Sequence, residues 1–140
     1  MSKTTGNREM VSLFCQFGRS LKRFGGQKLA SQLTLAQLDA LRFVQERQTV
    51  HMKSLSKFLG ITPPSATSLA QTLVDHGLLH RHDSPADRRA VYISLTAKGT
   101  KILTQAVNDR SKSLARLLSN LNGSEQLRLM ALLKKMIKNN

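Results

Sequence analysis

The fold is decided by residues 60–96, which read GITPPSATSLAQTLVDHGLLHRHDSPADRRAVYISLT. Gly60 is placed to take the left-handed conformation that ends a preceding helix. Thr62 can cap a new helix, and proline is tolerated in a first helical turn, so the pattern predicts a helix over residues 63–76. Gly77 ends that helix. The sequence therefore predicts two helices joined by a tight turn.

The hydrophobic period changes after this helix. Residues 79–82 are a short strand candidate, and residues 90–95 alternate, with apolar side chains on one face. The polar segment 83–89 between them contains proline together with turn-forming Asp and Ser. These segments predict a β-hairpin with a charged tip. A hairpin directly after two such helices is the wing of a winged helix-turn-helix.

The rest of the chain is predicted to be helical. Apolar residues recur at three- and four-residue steps, which predicts helices over residues 8–24, 34–48 and 51–59 before the hairpin, and over 97–119 and 127–137 after it. The predicted fold class is mainly α, a winged helix-turn-helix with a two-stranded β wing. Its first and last helices are amphipathic and need a surface against which to bury their apolar stripes.

The charge is strongly positive. The chain has 22 Lys and Arg against 8 Asp and Glu, a net charge of +14. This balance favours a nucleic acid as partner, because each cation on a phosphate releases counterions. Residues 34–96 carry seven basic and five acidic residues (+2), whereas residues 1–33 carry six and one (+5) and residues 97–140 nine and two (+7). Either the outer helices flank the phosphates, or they supply a diffuse field that speeds association.

Several other classes of protein are excluded. The single cysteine, Cys15, cannot form an internal disulfide. The N-terminal segment is polar, unlike a signal peptide, and no apolar run approaches the ~18 residues of a membrane span. We therefore expect a soluble, cytoplasmic protein with no membrane partner. No phosphate-binding loop, nucleophile elbow or zinc-protease motif is present, so we predict no enzymatic activity and no cofactor.

The helix predicted over residues 63–76 has two different faces. Ala66, Leu69, Ala70 and Leu73 share one side, and the opposite side is short, polar and mostly uncharged. Such side chains can donate and accept hydrogen bonds at base edges and let the backbone come close to DNA. The alternative is an ordinary solvated face. The predicted DNA contacts on this helix are Pro64, Ser65, Thr67, Ser68, Gln71 and Thr72.

The hairpin tip is the second candidate contact. Arg88 and Arg89 lie beside Asp87. A guanidinium on a narrow hairpin can enter the minor groove, whose negative potential attracts it. A neighbouring carboxylate can hold one arginine in a fixed direction. The alternative is a surface ion pair, which contributes little to stability. Arg81, on the first strand of the hairpin, is a further predicted contact.

The wing segment also carries a family resemblance. It has the pattern Asp87-x-Arg89-x-x-x-Ile93-x-Leu95-Thr96, followed by Ala97-Lys98-Gly99. Residues 83–89 are similar to a D-P-x-D-R-R segment, with Ser84 inserted. With further matches at residues 33–37, 59–61 and 77–79, nearly the whole chain resembles the MarR family of bacterial transcriptional regulators.

This resemblance implies a homodimer, usually a repressor, on a pseudo-palindromic operator in double-stranded DNA. It implies that the helix from Pro63 enters the major groove and that Arg89, oriented by Asp87, enters the minor groove. It also implies three parts of the chain: an N-terminal dimerisation helix (1–33), the DNA-binding domain (34–96) and C-terminal dimerisation helices (97–140).

A small-molecule effector that releases the DNA is a further implication of the resemblance. Its pocket is expected between the dimerisation helices and the DNA-binding domain. The candidates by position are Phe14, Phe17, Phe43 and Met52, and the alternative for each is a place in the core.

Two other functions remain open. Some relatives sense oxidants through a cysteine near the start of the chain, which makes Cys15 a candidate redox site; the alternative is a small buried hydrophobe. A weakly selective, architectural DNA-binding protein is the other possibility. His80 and His82 share a strand face, but no carboxylate or cysteine cluster completes a site near them, so no metal is predicted.

Overall fold

The computed structural model describes residues 3–22 and 29–138. It is mainly helical with a small antiparallel sheet, which confirms the predicted winged helix-turn-helix. The end predicted for the first helix, at residues 23–24, lies outside the described residues. The helices are α1 (Lys3–Lys22), α2 (Leu29–Gln32), α3 (Leu35–Arg47), α4 (Met52–Leu59), α5 (Pro63–Asp75), α6 (Ala97–Leu118) and α7 (Gly123–Lys138). The strands are β1 (Thr49–His51), β2 (Leu79–Asp83) and β3 (Val91–Leu95).

The chain divides into two compact units. One comprises residues 27–108 and contains α2 to α5, the sheet and the first half of α6. The other comprises residues 1–26 and 109–140, and contains α1, the second half of α6 and α7. The dimerisation roles expected for the two ends of the chain stay predictions.

The sheet has three strands in the order β1-β3-β2, and both pairings are antiparallel. The wing is the β2–β3 hairpin, in which Asp83 pairs with Val91. β1 pairs on the other side of β3, where Val50 lies opposite Ile93. β1 was not predicted, and His51 was expected in the following helix, because a three-residue strand is too short to show an alternating pattern.

The core of the 27–108 unit is mainly aliphatic. Its largest fully buried side chains come from α3, α4, α5, the segment between α5 and β2, the sheet and α6, so the predicted apolar stripes meet in one cluster. Burying one such side chain contributes about 1.5–3 kcal/mol relative to leaving it exposed. These side chains are Leu41, Val44, Leu55, Leu73, Leu78, Ile93 and Leu103.

The apolar side chains of the other unit are largely uncovered. α7 has no buried residue. The turn before it is nevertheless well bonded, because the Gln126 amide donates to the carbonyls of Leu118 and Leu121, each at 3.0 Å. Exposed apolar residues of α1 and α7 include Met10, Val11, Leu13, Phe14, Phe17, Leu127, Met130, Leu132, Leu133, Met136 and Ile137. Within residues 3–22 and 29–138, no helix has the length and apolar character needed to cross a membrane.

The first residues of α6 lie against the C-terminal end of α5. The Thr96 hydroxyl donates to the Gly77 carbonyl at 2.7 Å and accepts the Gly99 N–H at 2.8 Å. Thr96 therefore caps α6, as predicted, and also ties it to the residue that ends α5. The Lys98 ammonium donates to the His76 carbonyl at 2.7 Å. These bonds join three elements at one point: the C-terminus of α5, the end of β3 and the start of α6.

Gly99 permits this close approach. The Thr96 N–H donates to the Leu78 carbonyl at 3.1 Å, which brings the first turn of α6 against the chain that enters β2. A side chain on Gly99 would collide with the Leu78 carbonyl oxygen, and its Cβ would lie 2.8 Å from Leu95 Cδ2. No substituent larger than hydrogen fits there without a shift of the backbone.

We expect Gly99→Ala to lower the free energy of unfolding by about 2 kcal/mol or more, since the backbone must move to admit the methyl group. Gly123→Ala is the control, because a side chain there meets nothing within 4 Å. Chemical denaturation of both variants measures the difference. If the two variants proved equally stable, the close approach at Gly99 would be contradicted.

Candidate nucleic-acid interface

The turn between α4 and α5 is fixed by hydrogen bonds around Ser56. The Ile61 N–H donates to the Ser56 carbonyl at 3.2 Å, and the Gly60 N–H to the Lys57 carbonyl at 3.3 Å. Gly60 has a φ of 63°, the predicted left-handed conformation. The buried Ser56 hydroxyl donates to the Ile61 carbonyl at 3.0 Å. These bonds set the direction in which α5 leaves the turn, and the sequence analysis did not identify Ser56.

Polar side chains begin both helices of the motif. The Thr62 hydroxyl accepts the Ser65 N–H at 3.4 Å and donates to Ser65 Oγ at 2.9 Å, which confirms the predicted cap of α5. The His51 Nδ1 atom accepts the Lys53 N–H at 3.0 Å and caps α4. This second cap was missed because histidine is not among the residues preferred at helix starts.

The two predicted faces of α5 are confirmed. Ala66, Ala70 and Leu73 are buried. The opposite side forms one shallow, open depression, which we call the polar face of α5. It is lined by Pro63, Pro64, Thr67, Ser68, Gln71, Thr72 and Asp75. Five of the six predicted helix contacts lie together there, and the sixth, Ser65, lies at the start of the helix. Asp75 is the one charged side chain in this set.

Hydrogen bonds within α5 limit what its polar side chains can offer. Gln71 Nε2 donates to Asp75 Oδ1 at 2.8 Å. The Thr72 hydroxyl donates to the Ser68 carbonyl at 3.1 Å, so it remains available as an acceptor. The Thr67 and Ser68 hydroxyls have no hydrogen-bond partner in the described part of the chain, and can donate or accept.

The wing tip is a turn built on Asp87. The Asp87 carboxylate accepts the Arg89 N–H at 2.9 Å, and the Asp87 N–H donates to Ser84 Oγ at 3.3 Å. The Ala90 N–H donates to the Asp87 carbonyl at 2.9 Å, and the Ser84 N–H to the Ala90 carbonyl at 3.0 Å. The bond from the Arg89 N–H to the carboxylate of Asp87, two residues earlier in the chain, is typical of Asp in turns. The Asp87 carboxylate thus binds the backbone of Arg89, whereas the sequence predicted that it would hold a guanidinium.

The wing and α5 share one cleft. A space of about 210 Å³ lies between α5 and the sheet, and both Arg81 and Arg89 line it. Thr67 and Gln71 of the polar face of α5 reach the same cleft, as does Met52 of α4. Two of the three predicted arginine contacts therefore lie next to the predicted helix contacts. The third, Arg88, is exposed at the wing tip.

The histidines of the wing lie on its outer face. The rings of His80 and His82 have centroids 6.0 Å apart, and His82 Nε2 lies 2.8 Å from Ser94 Oγ. Among the residues that the structure describes, no group of three or more His, Cys, Asp or Glu side chains can hold a metal ion.

The candidate effector and redox residues have different surroundings. Phe43 is buried in α3 and stacks on Phe58 with ring centroids 4.1 Å apart, so it is a core residue. Phe14 and Phe17 are exposed on α1. Cys15 is also exposed on α1, which excludes a buried packing role for it within the chain. The effector pocket and the redox role stay predictions.

Three comparisons with known proteins agree with this geometry. A sequence model of the MarR family matches residues 31–90, from the end of α2 to the tip of the wing. The transcriptional regulator HosA of Escherichia coli O111:H- is 29% identical over 105 residues, 75% of this chain and 78% of that protein. The HTH-type transcriptional regulator Mb0904 of Mycobacterium bovis is 31% identical over 97 residues, 69% of this chain and 68% of that protein.

A solved structure supports the same relationship over most of the chain. The crystal structure of a cysteine-to-serine mutant of MarR from Escherichia coli, complexed with operator DNA, has a TM-score of 0.72 at 26% identity. The match covers 93% of this chain and 91% of that chain. The predicted family resemblance and fold are therefore confirmed.

The wing turn makes a prediction about Asp87. Asp87→Ala removes the acceptor of the Arg89 N–H, so exchange of that amide with solvent should rise about fivefold, the effect of losing one net hydrogen bond. Asp87→Asn keeps an acceptor oxygen and should preserve the protection. Amide exchange measured by NMR tests both variants, with Asp83→Ala as the control for loss of charge in the same hairpin. Equal loss of protection in Asp87→Asn and Asp87→Ala would instead favour an ion pair.

Proposed function

The chain belongs to the MarR family of DNA-binding transcriptional regulators, and on that premise we propose that it binds a pseudo-palindromic operator as a homodimer and represses transcription there. The observation that carries this proposal is the polar face of α5. Its hydroxyl and amide side chains lie together in one open depression, beside a cleft that two arginines line.

In this proposal α5 enters the major groove. Its side chains are short, so the helix backbone can approach the base edges closely. Thr67 and Ser68 can donate or accept, and Gln71 carries an amide, the group that best matches adenine. Pro64 and Ser65 lie in the first turn, where the Ser65 hydroxyl accepts from Thr62 and can donate to a phosphate. Thr72 is the remaining predicted DNA contact on this helix.

The wing supplies the second contact. Arg89 enters the minor groove, Arg88 contacts the backbone, and Arg81 adds positive charge next to α5. Because Asp87 bonds the backbone of Arg89, the direction in which this side chain leaves the wing is set before DNA arrives. Such preorganisation lowers the entropy lost on binding.

The homodimer rests on the unit formed by α1, the second half of α6 and α7. Its exposed Met, Leu, Phe and Ile side chains recur along α1 and α7, and exposed apolar surface of this kind marks protein–protein interaction sites. Binding of a pseudo-palindromic operator by such a dimer requires its two copies of α5 to lie about one DNA turn apart, ~34–36 Å.

Release by a small molecule is the last part of the proposal. α5 and the wing must meet the duplex together, so a molecule that changes their spacing would weaken both contacts. The cleft between them, lined by Met52 and two arginines, offers such a position.

A weakly selective architectural role is the second candidate, and the charge distribution favours it. Residues 34–96 carry a net charge of only +2 of the total +14. Charge on the outer helices attracts phosphates whatever their sequence. The third possibility is oxidant sensing. The exposure of Cys15 gives an oxidant access to the thiol, and this is the one observation that supports the role.

DNA selectivity separates the first two candidates. We expect the protein to bind DNA from upstream of its own gene at least ~10³-fold more tightly than a scrambled duplex, as measured by fluorescence anisotropy across salt concentrations. Arg89→Ala should weaken the specific complex by about 1–3 kcal/mol. Arg42→Ala, which removes the same charge from an exposed site on α3, is the control.

Two results would overturn parts of this assignment. Normal affinity in Arg89→Ala would remove the wing from the interface. Equal and steeply salt-dependent binding of both duplexes would favour the architectural role.

The dimer is tested by sedimentation. We expect a dimer at micromolar concentration, and a shift toward monomer in Ile137→Glu, because a charge in an apolar interface is costly. Ile137 is 72% exposed within the chain, so the change should leave the fold of the protomer intact. Lys135→Gln, on the polar side of the same helix, makes the same change in charge and should remain dimeric. A monomeric wild-type protein would refute the interface.

A further inference from the structure

The polar face of α5 contains a paired amide and carboxylate. Gln71 and Asp75 lie one helical turn apart, both exposed, and Gln71 Nε2 donates to Asp75 Oδ1 at 2.8 Å. Both residues line the depression proposed to meet the bases. Asp75 therefore lies where a negative charge is unfavourable for binding a polyanion.

The carboxylate fixes the orientation of the amide. An ionised carboxylate only accepts hydrogen bonds, so the nitrogen of Gln71 must face Asp75, and its oxygen faces away. A glutamine without this neighbour can rotate its amide and present either a donor or an acceptor to a base. Gln71 is held in one of these two states.

The pair presents mainly acceptors to the groove, namely the Gln71 oxygen and the Asp75 carboxylate, and the second Gln71 N–H is its remaining donor. The Gln71 oxygen can accept from the exocyclic amino group of adenine or cytosine. The Asp75 carboxylate repels the O6 acceptor of guanine and the O4 acceptor of thymine, whereas the N7 acceptor is common to both purines and does not distinguish them. The arrangement suits bases that carry an amino group, and it acts by rejecting the others at a cost in overall affinity.

We propose that Asp75 is a positioning residue for base recognition, which holds the Gln71 amide so that each half-site requires adenine or cytosine at the position Gln71 meets. This inference rests on the proposed function, because it takes α5 as the major-groove helix. It assigns Asp75 a role in selectivity, although Asp75 was not among the predicted contacts.

The test is selection from a randomised duplex library, followed by sequencing of the bound fraction. The wild-type protein should show one position per half-site with about tenfold preference for adenine or cytosine, and Gln71→Ala should lose that preference. Asp75→Ala should lose it at the same position alone, while binding to all duplexes becomes tighter. Asp75→Asn removes the charge and places there a group that can donate as well as accept, so the Gln71 amide is no longer held in one direction and the preference should weaken at that position.

The outcomes separate the positioning role from a structural one. A residue that only stabilises the helix would alter every position together, and Asp75→Ala would then weaken binding throughout. That result, or an unchanged profile in Asp75→Ala, overturns the inference and leaves the proposed function standing. Asp39→Ala, an exposed acid on α3, controls for charge and should leave the profile unchanged. If the wild-type protein selects no sequence at all, the proposed function itself fails.

Discussion

The close contact between Gly99 and the Leu78 carbonyl is the constraint on which the rest of the structure depends. It lets α6 start against the end of α5, where the Thr96 hydroxyl bonds both the Gly77 carbonyl and the first turn of α6. This junction therefore fixes three points, which are the C-terminus of α5, the end of the wing and the start of α6. The position of α5 depends on this junction as well as on its own buried face.

The interface itself is built mostly by backbone hydrogen bonds. The turn before α5 is closed by Ser56, Gly60 and Ile61, and the wing tip by Ser84 and Asp87. None of the side chains used in these turns is among the proposed DNA contacts. The proposed contact residues therefore extend from turns that are already formed in the free protein, which would limit the entropy lost on binding.

Elements that are marked by a pattern of several residues could be predicted from the sequence, whereas contacts made by a single side chain could not. The boundaries of α5 follow from Thr62, the proline pair and Gly77, and the wing follows from the alternation after the polar tip. β1 was missed because three residues cannot display a period. The roles of Asp87 and of the Gln71–Asp75 pair depend on side-chain rotamers, which the chemical types of the residues do not determine.

α7 has no buried side chain within the chain. An isolated helix of its 16 residues is only marginally stable in water, since forming the first turn is unfavourable and little else compensates. A surface that covers its apolar side chains would therefore add to the stability of the helix. If that surface is a second copy, folding of this end of the protein is coupled to association by mass action. Occupancy of a DNA site would then rise more steeply than in proportion to the amount of protein, so the level of expression would itself be a regulatory input.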